Sequence, residues 1–281
     1  DGEPSIDVCA RRLIEMGATT LTGLTGNIAI PRQTGGAAFY WVGENGAPTE
    51  SQASFDQVAM SPKTIGLFTD YSRRLMMQSS ISIEAFVRAD LALGLSVGLD
   101  YTGMNGLGSG NEPTGLFNMS GVGAVVGGTN GAAPTWDMMV QMEEAVAVAN
   151  ADVGALAYLT NPKVRSKLKR TQKFSGTNGQ EIWLAGRDSR RGIGEVNGYD
   201  AYATNNVPSN LTKGTSNGIC SAAAFGNWVD FLIAMWGGLD ILLDPYSQST
   251  TGARRVVALM DTDINIRRGG SFAVTKDLLT S

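Results

Sequence analysis

With 281 residues, 43% of them apolar, the chain is long enough to bury a sizeable core in one large domain or two lobes. Only 17% of residues are charged and the net charge is −4, which excludes the basic footprint that general phosphate-backbone binding needs and suits a subunit packed against its own copies. Histidine is absent, so Ser-His-Asp and Cys-His sites are excluded and the commonest metal ligand is missing.

Residues 1–30 hold one short helical candidate, with Asp7 as its cap and Val8, Leu13, Ile14 and Met16 as its apolar positions; an extended arm follows Gly17. Residues 37–42 (AAFYWV) have the aromatic and β-branched content of a strand. Residues 43–54 are polar and rich in turn formers, and extended structure resumes over 55–60 and 64–71. Strand, polar tip and strand predict a hairpin, either lying on the surface or projecting from the body.

Ser82 is placed to cap a long helix with Glu84 in its first turn. Ile83, Phe86, Val87, Leu91, Leu95, Val97 and Leu99 recur at mostly helical spacing, as in a long buried helix. Gly94 and Gly98 each cost about 1 kcal/mol in a helix interior, which implies another backbone passing close to that stripe. A glycine-rich turn follows over 103–116. Thr135 caps a second helix over 136–150 with Met139, Met142, Val146 and Ala149 inward, and residues 155–159 make a short buried strand. Asn161-Pro162 then reads as a cap with proline at the first helical position. The helix it opens carries Lys163, Arg165, Lys167, Lys169, Arg170 and Lys173, either as a solvated face or as a cluster facing DNA or an acidic neighbour. Further strands are predicted at 180–184, 199–204, 219–224, 229–236 and 239–243, with turns holding Arg187, Arg190 and Arg191 between the first of them. Residues 254–268 alternate: Asp261, Asp263, Asn265 and Arg267 share one face, while Thr262, Ile264 and Ile266 share the other, as in a half-buried antiparallel strand.

Chemical motifs are sparse. The segment GMNGLGSGNEPTGLFN (103–118) lacks both the GxGxxG order and the Walker lysine, and follows a helix instead of a strand, so it reads as a structural turn. Asp261-Thr262-Asp263 is explained by the alternating strand without metal or acid–base chemistry. Ser109 has no nucleophile-elbow spacing. Cys9 and Cys220 are too few and too far apart for a disulfide framework or a zinc site, and read as free thiols in a reducing compartment. No apolar run approaches the ~20 residues that span a bilayer, so no membrane span is expected, and without a phosphate loop or metal cluster no cofactor is expected.

In order and spacing, these segments resemble the major capsid proteins of tailed bacteriophages, the family with the Hong Kong 97 fold. The hairpin is similar to that family's extended loop. Residues 62–77 (PKTIGLFTDYSRRLMM) and 78–99 (QSSISIEAFVRADLALGLSVGL) resemble the strand and spine helix that follow it. The turn with Pro113, Gly115 and Leu116, the segment 159–168 (LTNPKVRSKL), the strands over 224–243 and the closing strand over 256–274 complete the likeness.

The resemblance implies an α+β fold divided into an N-terminal arm (1–36), an extended hairpin loop (37–62), a peripheral domain with the spine helix (63–131), an axial domain (132–245) and peripheral closing strands (246–281). It implies pentamers and hexamers closing into an icosahedral shell around double-stranded DNA, assembled in the host bacterial cytoplasm. The partners are the chain itself, a portal, a decoration protein and, weakly and non-specifically, the packaged DNA. The same fold also builds encapsulin-type bacterial compartments. The chain opens at Asp1 without methionine, as after the maturation cleavage of this family. Some members weld subunits by joining a loop lysine to an asparagine with a glutamate assisting. Here residues 33–62 hold no lysine; the matching positions fall near Pro48, Arg254 and Asp261, which implies a non-covalent shell. Glu44 and Glu50 at the loop tip, with no cation beside them, are expected to meet a basic patch on an adjacent subunit, with Arg73 and Arg74 as candidates.

Overall fold

The computed structural model describes residues 11–280 apart from 48, 79–82, 175, 177–178 and 187–192. The expected roles of Asp7, Val8, Cys9, Pro48, Ser82, Arg187, Arg190 and Arg191 lie outside the described residues.

The chain begins with a short helix α1 (Arg11–Glu15) and strand β1 (Thr19–Leu21), then a hairpin of β2 (Ile28–Gly35) and β3 (Ser54–Met60). Strand β4 (Lys63–Tyr71), helix α2 (Arg73–Gln78) and the long helix α3 (Ile83–Asn105) follow. Next come β5 (Gly123–Ala124), α4 (Trp136–Val148), β6 (Leu156–Thr160) and α5 (Pro162–Arg170). The remainder is β-rich: β7 (Leu184–Ala185), β8 (Ile193–Val196), β9 (Tyr199–Ala203), β10 (Leu211–Lys213), β11 (Ser216–Asn227), β12 (Phe231–Asp244), β13 (Arg254–Ile266) and β14 (Phe272–Leu279).

Two sheets carry the body. The smaller runs β1-β12-β13-β4 and is backed by α3. The larger runs β5-β14-β11-β6-β9-β8-β7, with β10 on β11, and is backed by α4 and α5. Trp228, Phe231 and Phe272 sit fully buried in the largest core cluster, stacked edge-to-face or tilted at centroid distances of 5.3–6.3 Å.

Local signals placed the helices well. Thr135 accepts a hydrogen bond from the Met138 N–H, and Asn161 accepts one from the Val164 N–H at 2.9 Å, so both caps satisfy first-turn donors. Met139, Met142 and Val146 are buried as their spacing required. The glycine-rich turn is structural. The Gly115 N–H donates to Gly106 O at 2.8 Å, and a Cβ on Gly115 would lie 2.4 Å from the Gly106 nitrogen.

Several expectations are corrected. Residues 37–42 form no strand; the first hairpin strand is Ile28–Gly35, inside the segment expected to be arm, because Ile28 and Ile30 pack on Trp236 and its neighbours whereas the aromatic run has no such partners. Residues 73–77, expected to continue the strand, form α2. The predicted strands at 229–236 and 239–243 are one strand, β12, with a register shift at Gly237-Gly238. The closing strand expected over 256–274 is two strands, β13 and β14, which pair with β12 and with β11 respectively; β12 also pairs with β1. The close approach at Gly94 and Gly98 comes from side chains of β4, Leu67 and Ile65, and not from another backbone. No described helix is long and apolar enough to cross a membrane.

Candidate assembly surfaces

The hairpin is pinned at its base and free at its tip. At the base, Val58 and Met60 are buried against Leu232, Ala234 and Trp236. Trp236 Nε1 donates to Gly26 O at 2.6 Å, and Asn265 Nδ2 donates to Ala59 O at 3.3 Å. Asp263 completes the joint: it accepts from the Ser61 N–H at 3.0 Å and from Lys63 Nζ at 2.9 Å. Its burial corrects the half-exposed face expected for β13, since the crossing of β3 covers that face. Asp261 accepts from Thr64 Oγ1 at 2.5 Å. Both carboxylates are therefore structural fixings. An open polar cleft of about 630 Å3, lined by Arg32, Lys63, Asp263 and Asn265 among others, remains beside this joint.

Above the base the two strands stay paired as far as Gly35 and Ser54 and are mostly exposed. Arg32 grips Asp56 across the two strands at 2.6 Å, and hydrogen bonding to Arg32 holds the Asp56 carboxyl below the usual range. Beyond Gly35 and Ser54 the described loop residues have no regular structure. The Gly46 N–H donates to Gly43 O at 2.9 Å with Asn45 in the left-handed region, so the tip is a tight turn. Glu44 and Glu50 lie exposed on it, as do Phe39, Tyr40, Trp41 and Val42.

Arg73 and Arg74 sit exposed at the start of α2, a position the helix dipole disfavours for cations. Arg73 lies beside the turn at Gly252, a few residues from exposed Arg254. Arg255 is bound to Asp70 at 2.7 Å, and its guanidinium carbon stands 4.5 Å from the Phe68 ring centroid. Sequence reasoning named Arg73 and Arg74 but missed Arg254, which only the pairing of β13 with β4 brings to them.

The basic helix is shorter than expected. It ends at Arg170, and Lys173 lies beyond it with Nζ 4.5 Å from the Trp136 ring. Val164 and Leu168 point inward, while Lys163, Lys169 and Arg170 are exposed and Arg165 and Lys167 half-buried. Lys163 Nζ donates to Ser209 O at 3.4 Å. The cations wrap the helix and do not form one flat face. Cys220 is buried, and burial pushes its thiol pKa up. Among the described residues no cluster of acidic and cysteine side chains has metal-ligand geometry.

The body thus carries a hairpin that is packed at its base and exposed at its tip. A model of the phage capsid family matches residues 11–277. The major capsid protein of Halomonas phage phiHAP-1 is 34% identical over 261 residues, which cover 93% of this chain and 40% of that protein. The chain thus spans well under half the length of that relative. Among solved structures, the capsid of a native GTA particle superposes with a TM-score of 0.71 at 16% identity, covering 99% of this chain and 92% of that one. A Microbacterium phage Oxtober96 chain gives 0.70 at 15% identity over 98% and 93%. The chain belongs to the phage capsid family. Its fold is the expected α+β, Hong Kong 97-like arrangement with a long spine helix, α3.

Proposed function

We propose that this chain is a structural major capsid subunit, not an enzyme, which self-assembles as pentamers and hexamers into the icosahedral shell of a phage virion. The observation that carries the reading is the hairpin: its base is locked to the body while its aromatic, acidic tip is left bare. Family membership supports a shell over a soluble binding module. In this reading the regions 63–131 and 246–281 act largely as a peripheral lobe and 132–245 as an axial one, with β12 and β14 crossing between them. Assembly takes place in the host cytoplasm, with a portal and a decoration protein as further partners. Packaged DNA is met weakly through the basic helix, where Lys163, Lys169 and Arg170 are exposed.

The acidic tip carries direction: Glu44 and Glu50 of one copy meet Arg73 and Arg74 of the next. Reversing both glutamates to lysine is expected to leave a soluble, folded chain that no longer forms particles by negative-stain electron microscopy; normal particles would remove this contact. With no lysine in 33–62, particles boiled in denaturant are expected to run as monomers. A ladder of higher species would refute the non-covalent shell.

A further inference from the structure

The chain holds six Asn-Gly pairs, at 45–46, 105–106, 130–131, 178–179, 197–198 and 217–218. An asparagine before glycine is open to attack by the backbone nitrogen that follows it, because a residue without a Cβ hinders that approach least. The attack also needs a free side chain and a backbone able to turn toward it. Asn178 lies outside the described residues; the structure separates the other five pairs.

Four of them are held. Asn105 ends α3, where its Nδ2 donates to Asn206 O at 2.6 Å and the Gly106 N–H donates to Thr102 O at 2.8 Å. A Cβ on Gly106 would fall 2.2 Å from Pro113 O, so that nitrogen has no room to swing. Asn130 Oδ1 accepts from the Thr215 N–H at 3.0 Å, and Gly131 is pressed against Asp277 O. Asn197 Nδ2 donates to the Glu143 carboxylate. Asn217 Oδ1 accepts from Thr212 Oγ1 at 2.9 Å, and the same hydroxyl oxygen accepts from the Gly218 N–H at 3.1 Å.

Asn45 differs on each count. It is exposed at the hairpin tip, and its side chain has no hydrogen-bond partner among the described residues. The Gly46 N–H is tied only to Gly43 O, within the turn itself. The atoms nearest a Cβ on Gly46 belong to Gly43 and Val42, so the turn can open without disturbing the body. A side-chain hydrogen bond that must first break slows an attack by roughly 2–10-fold, and a fixed backbone slows it further.

We infer that Asn45 is a self-modification site, where the Gly46 backbone nitrogen attacks the Asn45 side-chain amide carbon faster than at the four held pairs. The bond from Gly46 N to Asn45 Cγ forms and the Cγ–Nδ2 bond breaks. The side-chain nitrogen leaves as ammonia, taking the Gly46 amide proton, and a five-membered succinimide closes. Water opens that ring at one carbonyl or the other, giving aspartate or isoaspartate; one water is consumed and one ammonia released. Either product adds a carboxylate to a tip that already holds Glu44 and Glu50. Isoaspartate also routes the main chain through the side chain and lengthens the turn by one methylene. The loop therefore accumulates a change of charge and shape with time. This chemistry stands whether or not the chain builds a shell.

The test incubates the unassembled full chain at mildly alkaline pH, folded in one arm and unfolded in urea in the other. Peptide mapping by mass spectrometry, in oxygen-labelled water, measures aspartate and isoaspartate formed at each pair. In urea all the pairs are expected to react at comparable rates. In the folded chain Asn45 should stay within ~3-fold of its urea rate, while Asn105, Asn130, Asn197 and Asn217 each fall at least ~10-fold below theirs. Gly46→Ala should slow the reaction at Asn45 and leave the other four unchanged. The inference is overturned if the folded-to-unfolded rate ratio at Asn45 is not the highest of the five, or if no labelled product forms there.

Discussion

Trp228 and Trp41 show two uses of the same side chain. Trp228 is wholly buried, 5.3 Å from the Phe272 ring centroid, with Nε1 donating to Ala157 O at 3.0 Å. Trp41 stands exposed on a loop with Phe39, Tyr40 and Val42 beside it. The body around Trp228 meets its apolar and hydrogen-bonding needs within one copy. The loop does not, and a cluster of exposed apolar side chains marks a place where another surface belongs. On the proposed shell reading, folding stability and assembly are carried by different parts of the chain.

That separation can be broken most directly at the two tryptophans. Trp228→Ala is expected to cost about 3–5 kcal/mol of folding stability in urea unfolding of the unassembled chain. Trp41→Ala is expected to stay within about 0.5 kcal/mol of the parent. Similar losses from both would mean that the loop is part of the folded body after all.

The joint between body and hairpin gives the next effect. Lys63→Met strips the buried Asp263 of its cation and is expected to cost about 3 kcal/mol, although Asp263 keeps its bonds from the Ser61 and Ile264 N–H groups. Hydrogen exchange should quicken over residues 57–63 and not over 36–47. Loosening of the tip instead would show that the two ends of the hairpin are mechanically coupled.

Asp100 of α3 supplies a pH-dependent contrast on the body side. Burial raises its pKa from 3.8 to about 6, against the opposing backbone hydrogen bonds from Arg12 and Leu13. One carboxylate oxygen has no hydrogen-bond partner. The folded state binds the proton more tightly than the unfolded state, so this group's contribution to stability falls as pH rises from about 4 to about 6. The expected change is on the order of 2–3 kcal/mol, flat above that window. Asp100→Asn should flatten the slope in pH-dependent unfolding; an unchanged slope would place its origin elsewhere.

The smallest effect is expected in the spine helix. Gly94→Ala and Gly98→Ala gain helix propensity and press on the flexible ends of Leu67 and Ile65 at 3.3 and 3.2 Å, so each should change stability by less than about 1 kcal/mol. Large losses would restore the close-backbone explanation.

Elements set by neighbours in the chain were legible beforehand. Thr135, Asn161 and Pro162 announce helix starts through local donors and acceptors, and the Met139-Met142-Val146 spacing announces an inward face. The alternation over 254–266 identified β13, yet not that β3 would cross it and bury Asp263. Residues 37–42 misled for a related reason. Aromatic and β-branched content reports a need for a packing surface, and within one copy the described loop has no such surface.

By itself, then, the sequence determined the helix caps and periodicities, the missing histidine chemistry, the α+β class and the order of segments that resembles a phage capsid protein, because each depends on residues close together in the chain or on composition. Tertiary structure alone decided that the hairpin begins at Ile28, that β12 pairs with β13 while β14 pairs with β11, and that Arg254 lies near Arg73 and Arg74. Those features depend on pairings between strands tens to hundreds of residues apart. A strand's own pattern shows which side chains it must bury but not which strand will lie beside it.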